Sequence, residues 1–284
     1  MRIGNVLHIN KIKMYLWYII VSIVTFFFAL PFLFLLSTAF KTAEQASAFP
    51  PQWIPNPFTF RSFFEGFMAF DFFQQISNSL IVTSLTVLGV LLSSPLVAFG
   101  FTCFQVRYRN IFFMLMLSTM MIPGCVTLIP AYILYSKLGL TNTFVPLVLP
   151  AFLGLYAIYV FLIRQFFLTL PKDLNDAARI DGCSWFQIYL NIYIPNSKVV
   201  LFVVAIFTFV GSWNDFFYPL IFLFDPSKYT IAIGLATMKN QLSTVMDLGP
   251  IMAMSLVALL PVLILFLLAQ KYFVQGIATT GLKG

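Results

Sequence analysis

The chain has 284 residues, 61% of them hydrophobic and 9% charged, with a mean hydropathy of +0.95 and a formal net charge of +7. Soluble domains carry about 25% charged residues, so this composition excludes a water-soluble globule and implies an integral membrane protein. Three cysteines, an odd number, and the single histidine His8 give neither a disulfide framework nor a Cys/His metal cluster.

Six apolar runs lie at about 14–36, 76–101, 111–131, 146–168, 199–224 and 251–270. Each reaches the roughly 18 residues that mark a spanning helix. They are solidly apolar, whereas membrane strands would alternate. Ser37-Thr38-Ala39 loosely resembles a signal cleavage site. The run before it is longer than the roughly 7–15 residues of a signal core, so a retained helix is expected.

Residues 37–75 form the longest polar connection. Its centre, Phe49-Pro50-Pro51-Gln52-Trp53-Ile54-Pro55-Asn56-Pro57, carries four prolines and cannot be regular helix. It reads as an extended, semi-rigid loop whose aromatics can lie at the membrane surface. Prolines also fall in or beside every span, at Pro31, Pro95, Pro123, Pro130, Pro146, Pro150, Pro219 and Pro261. Such breaks are tolerated in membranes when neighbours satisfy the freed carbonyls.

Charge fixes the expected orientation. With the N-terminus inside, the inner side holds Arg2, Lys11, Lys13, Arg107, Arg109, Arg164, Lys172, Arg179, Lys198, Lys271 and Lys283. The outer side holds only Lys41, Arg61, Lys137, Lys228 and Lys239. The rule that positive loops stay inside therefore predicts that both termini are cytoplasmic. The net charge is then a topology signal and needs no nucleic-acid partner.

The inner segment 171–195 is the most informative. Pro171 can open a helix, and Asp173 and Asp176 suit its positive end. Leu174, Ala177, Ala178 and Asp181 fall on one face, where alanine permits close approach of another surface. Gly182 suits a left-handed stop, and a side chain there is expected to obstruct the turn. Ser184 with Gln187 reads as a capping box opening a second helix. Trp185, Ile188, Tyr189 and Ile192 form an apolar stripe for the membrane or a neighbouring helix. Pro195 is expected to end that helix.

Here the chain resembles a known family. DAARIDG at 176–182, followed by Ile194-Pro195, is similar to the EAA loop of binding-protein-dependent ABC importer permeases. Asp176 stands where the family usually has Glu, Ile194 where it usually has Leu, and Val199 where a second proline is frequent. WNDFFYPL at 213–220 resembles the fifth-helix signature of carbohydrate permeases. FPPQWIPNP at 49–57 and the end from Gln270 to Gly276 with Lys283-Gly284 resemble the MalG-like class.

The resemblance implies an all-α membrane domain over 1–284: six transmembrane helices, a cytoplasmic coupling loop at 171–195, an extracytoplasmic loop at 37–75 and a cytoplasmic tail at 271–284. The location is the bacterial cytoplasmic membrane. Leu174, Asp176, Ala177, Ala178, Asp181 and Gly182 would engage a cytoplasmic ATPase. Gln275, Gly276 and Lys283 would reach the same partner from the tail. Implied partners are a second, MalF-like permease, two ATPase copies and an extracytoplasmic sugar-binding protein. No cofactor is expected in this chain, because ATP and magnesium would bind the ATPase. The chain has no G-x-x-x-x-G-K-[ST] loop and is not expected to be an enzyme.

Asp215 is the one acidic residue within an expected span, beside Trp213 and Asn214. One reading puts Asp215 and Asn214 on a sugar path, with Trp213 as a flat platform. The other has Asp215 and Asn214 hydrogen-bonding neighbouring helices. Two rival functions stay open on the residues: an ion-coupled carrier, which calls for several buried carboxylates near the midplane, and an ABC permease for a non-sugar solute.

Overall fold

The chain is described by a computed structural model over residues 2–69, 71–171, 173–242 and 247–281, with side chains at 13–68, 71–171, 173–240 and 247–270. In chain order the helices are α1 (Arg2–Ala39), α2 (Ala43–Ala46), α3 (Arg61–Ala69), α4 (Phe72–Cys103), α5 (Arg109–Ser118), α6 (Gly124–Lys137), α7 (Val145–Phe152), α8 (Ala157–Phe167), α9 (Asp173–Ile180), α10 (Trp185–Ile188), α11 (Ile194–Asn196), α12 (Lys198–Trp213), α13 (Phe217–Phe222), α14 (Ile231–Leu242) and α15 (Gly249–Gly281). Among the described residues there is no strand.

Among the same residues, four stretches are long and apolar enough to cross a membrane unaided: Lys13–Ala39, Phe72–Cys103, Val145–Phe167 and Gly249–Gln270. Two more pass only as bent pairs, Arg109–Met121 with Gly124–Lys137 at 99° and Trp185–Asn196 with Lys198–Trp213 at 77°. The first bend has a local cause. Ile122 precedes Pro123, whose ring disfavours the helical region for its predecessor, and Ile122 sits extended at φ −80°, ψ 119°. The expected run 199–224 is also interrupted, between α12 and α13.

Residues 1–70 and 237–259 form one compact unit. Thr42 caps α2 through its hydroxyl, which accepts from Gln45 N at 3.4 Å. The proline-rich loop is pinned. Gln45 exchanges hydrogen bonds with the Asn56 backbone, Ser37 donates to the Trp53 carbonyl, and Trp53 packs edge-on against Phe34 at 5.9 Å. Phe40 stacks on Phe58 at 4.6 Å and meets Phe60 edge-on. Phe49 and Ile54 stay 94% and 79% exposed. Arg61 pairs with Glu65 at 2.7 Å and with Asp247 at 3.6 Å.

Residues 71–236 and 260–284 form the other unit. Here α4 is the central helix, packed against α7, α8 and α12. Gly89 permits the contact with α7, since a Cβ there would lie 2.7 Å from Phe152 and 3.0 Å from Ala151. Gly154, at φ +70°, makes the turn between α7 and α8. One face of α4 is a buried polar file, Gln75, Asn78, Ser79, Thr83 and Thr86. Parts of it hold the chain after α13. Asn78 donates to the carbonyls of Ser227 and Tyr229, and Ser79 accepts from Ile231 N at 2.8 Å. Asn142, in the left-handed region, accepts from Phe224 and Asp225 N–H groups and so ties the α6–α7 connection to the segment after α13.

Candidate functional site

The segment 173–196 is built by local rules that the sequence displays. α9 carries Asp173 and Asp176 in its first turn and Arg179 in its last, matching the dipole at both ends. It stops in a Schellman motif. Gly182 N–H donates to the Arg179 carbonyl at 3.1 Å and Cys183 N–H to the Ala178 carbonyl at 2.9 Å, with Gly182 at φ +79°. Among the described residues nothing lies within 4 Å of a Cβ built at Gly182. The expected obstruction is therefore absent; the left-handed backbone angle, not space, favours glycine here.

Ser184 and Gln187 form the capping box in both directions, at 3.3 and 2.7 Å. The second helix does not end at Pro195. A π-helical turn, Tyr189–Tyr193, pairs Ile194 N–H with the Tyr189 carbonyl, and helix continues to Asn196. This shift of register places the proline nitrogen where no donor is needed, and the corner falls at Ser197 instead. Single π turns of this kind are frequent at functional positions.

One side of this segment is rooted in the core. Ile188, Tyr189 and Tyr193 are buried with Phe99, Phe167 and Val204. The Phe99 ring lies 4.9 Å from Tyr193 and 5.3 Å from Tyr189, and Phe167 lies 4.8 Å from Tyr193. Such aromatic pairs contribute about 0.5–1.5 kcal/mol each beyond burial. Asn175 donates to the Tyr193 hydroxyl at 2.7 Å, and the Arg179 guanidinium sits 5.0 Å over Trp185, so α9 is tied to the helix that follows it. The Trp185 stripe thus serves a helix neighbour rather than lipid.

The other side is open. Leu174, Asp176, Ala177, Asp181 and Gly182 are exposed. Ala178 is not part of that face. It is 8% exposed and packs into the core cluster, so the four-residue face expected from spacing divides. Ile180, which the sequence reading passed over, is 87% exposed. A β-branched apolar residue at the end of a polar helix is the signal that could have found it.

The second candidate is a cavity of about 380 Å³ in the α4 unit. Asp215 lines it together with Thr86, Tyr156, Tyr159, Ser212 and Tyr218. Trp213 and Asn214 do not. Trp213 is 2% exposed and stacked on Phe209 at 5.7 Å, so its ring is covered and offers no platform. Asn214 is exposed and donates to the Val210 carbonyl at 2.9 Å. The Asp215 carboxylate accepts from Tyr218 N at 3.3 Å and so caps α13. These are bonds within one stretch of chain, not ties to a neighbouring helix. The three tyrosines and Thr86 were missed because hydroxyls scattered over α4, α8, α13 and the turn before α8 converge only when folded. The cavity combines hydroxyl donors and acceptors, aromatic faces and one carboxylate.

Of the tail residues, Gln275 and Gly276 lie in the helical backbone of α15. Their side chains and all of Lys283 are outside the described residues. No group of three or more His, Cys, Asp or Glu suited to a metal occurs among the described residues.

With this geometry established, comparison with known proteins is direct. Residues 97–279 match the family described as "Binding-protein-dependent transport system inner membrane component". "Probable ABC transporter permease protein YurM" of Bacillus subtilis (strain 168) is 35% identical over 265 residues, 90% of this chain and 84% of that protein. "Arabinooligosaccharides transport system permease protein AraQ" of Halalkalibacterium halodurans is 37% identical over 207 residues, 73% of each chain. A chain of the solved structure described as "Crystal structure of a bacterial ABC transporter involved in the import of the acidic polysaccharide alginate" shares the fold. Its TM-score is 0.81 at 20% identity, over 93% of this chain and 97% of that one.

Proposed function

This chain belongs to the family of inner membrane components of binding-protein-dependent transport systems, and from that premise we propose that it is a permease subunit of an ATP-driven importer that moves a sugar or oligosaccharide into the cytoplasm by alternating access. It is an ABC transporter permease of the bacterial cytoplasmic membrane. On this reading six helices cross the membrane with both termini inside; the bent pair at 109–137 supplies one crossing, and α12 with α13, interrupted between Trp213 and Phe217, supplies another.

The observation that carries the reading is the segment 173–196, with one face open and the other fixed in the core. A membrane protein gains nothing for its own stability from the exposed Ile180 and Leu174. A partner that grips this face can move Phe99, Phe167 and Val204 through Ile188 and Tyr193. That partner is a separate ATPase, present in two copies and holding ATP and magnesium. A second, MalF-like permease completes the membrane part, and an extracytoplasmic binding protein delivers the solute. The relative named for arabinooligosaccharides supports the sugar class. So does the hydroxyl- and tyrosine-lined cavity, since sugars are bound by hydrogen bonds and aromatic faces together.

The test is mass spectrometry of all proteins that copurify with the tagged chain in mild detergent, followed by uptake of labelled oligosaccharides into vesicles. The expected result is a second permease, an ATPase at two copies, and uptake that requires ATP. A homo-oligomer without ATPase, with uptake that persists after ATP depletion and collapses with an ion uncoupler, would refute the proposal in favour of an ion-coupled carrier.

A further inference from the structure

Lys41 lies two residues beyond the apolar stretch Lys13–Ala39, at the depth where a bilayer turns from hydrocarbon to headgroups. It does not reach out to water, as lysines beside spanning helices ordinarily do. It is 2% exposed. Its ammonium has three donors. One meets the Thr38 hydroxyl at 3.3 Å, and the group stands 5.1 Å from the Phe34 ring centre. Among the described residues it takes part in no ion pair. A buried cation left without an anion is costly to retain. Burial pulls its pKa below the ordinary lysine value, the direction expected when desolvation goes uncompensated.

The same lysine lines a cavity of about 420 Å³ contained within the unit of residues 1–70 and 237–259. The lining is divided in character. Phe34, Leu248 and Ile251 are apolar, whereas Lys41, Lys239 and Gln52 can donate hydrogen bonds. Among the described residues no carboxylate contributes to it. Two cations and an amide beside an apolar wall, at headgroup depth, match an anion that carries hydrocarbon.

We infer that this cavity binds a phosphate-bearing ligand, a phospholipid headgroup, with the phosphate on Lys41 and Lys239 and the glycerol and upper acyl chain against Phe34, Leu248 and Ile251. Phosphate suits the site because it accepts several hydrogen bonds at once and supplies the missing countercharge. The inference does not depend on the transported solute or on the ATPase.

The test uses the full transporter in nanodiscs of phosphatidylcholine, with or without phosphatidylglycerol, and in phosphatidylcholine with added inorganic phosphate. Thermal midpoint and phospholipid retained in native mass spectrometry are read for the wild type, Lys41→Met and Lys41→Arg. Phosphatidylglycerol should raise the wild-type midpoint and remain bound. Lys41→Met should lower retention about tenfold, the scale of one charge-assisted hydrogen bond, and Lys41→Arg should preserve it. A midpoint rise with phosphatidylglycerol alone assigns the phosphate to lipid. An equal rise with inorganic phosphate assigns an anion site filled from solution and overturns the headgroup as its source. No anion preference in the wild type, or an undiminished one in Lys41→Met, overturns the site itself. If Lys41→Met does not accumulate, Lys41→Gln, which keeps a donor for Thr38, takes its place under the same criteria.

Discussion

Replacing Gly182 with Asn, Ala and Val separates backbone strain from crowding in the proposed coupling segment. Gly182 sits at φ +79°, and nothing among the described residues lies within 4 Å of a Cβ there. Crowding therefore contributes nothing within the chain, and the cost is that of forcing a side-chain-bearing residue into the left-handed region. For alanine that is about 1–2 kcal/mol. A penalty of this size is a factor of about 5–30 in a local equilibrium, here between the Schellman turn and a frayed end of α9. Asparagine visits the left-handed region readily and should cost well under that. Valine, branched at Cβ, should cost most. The expected order of ATPase copurification and ATP-dependent uptake is Gly, Asn, Ala, Val, with membrane insertion unchanged. Asparagine is larger than alanine, so the order of these two decides the matter. If asparagine is worse than alanine, size at a docking surface governs the position. If valine matches glycine, the turn does not matter to coupling.

Ser184→Ala removes one half of the capping box and should cost about 1 kcal/mol, seen as faster amide exchange at Gln187 with normal insertion; unchanged exchange would deny the cap any role. Gly89→Val drives its side chain into Ala151 and Phe152, and overpacking of this kind costs about 1–3 kcal/mol, so the thermal midpoint in detergent should fall. A midpoint at the wild-type value would contradict the close α4–α7 contact. Asp215→Asn keeps an acceptor for Tyr218 N–H, so assembly and thermal midpoint should hold while uptake drops several-fold; uptake at the wild-type rate would leave Asp215 as a helix cap alone.

What the sequence made legible was mostly local. Gly182, Ser184 and Gln187 announce a stop and a start within six residues, and each acts on backbone groups close by. The apolar runs also carried their own signal, and four of them survive as single long stretches. What escaped depends on distant partners. Ala177 and Ala178 are indistinguishable as residues, yet only Ala178 meets the core, because α9 is rotated by the Asn175–Tyr193 and Arg179–Trp185 contacts. Trp213 looked like a sugar platform because its neighbours are polar, but Phe209, one helical turn back, covers it. Pro195 looked like a terminator because the rule assumes α-helical register, and the π turn before it changes the register. Lys41 offered no warning of burial, since a lysine beside a span normally marks the water side.

Two straight arms joined at a fixed corner make a bell crank, and the 77° corner at Ser197 joins two such arms. At 1.5 Å per residue, Trp185–Asn196 is about 18 Å long and Lys198–Trp213 about 24 Å. If the corner keeps its angle, a turn of about 10° carries the first arm's end roughly 3 Å and the second arm's end roughly 4 Å, taking those lengths. The second arm ends beside Asp215, at the wall of the tyrosine-lined cavity. A sideways push at one end then emerges, slightly enlarged and redirected, as a change in that wall.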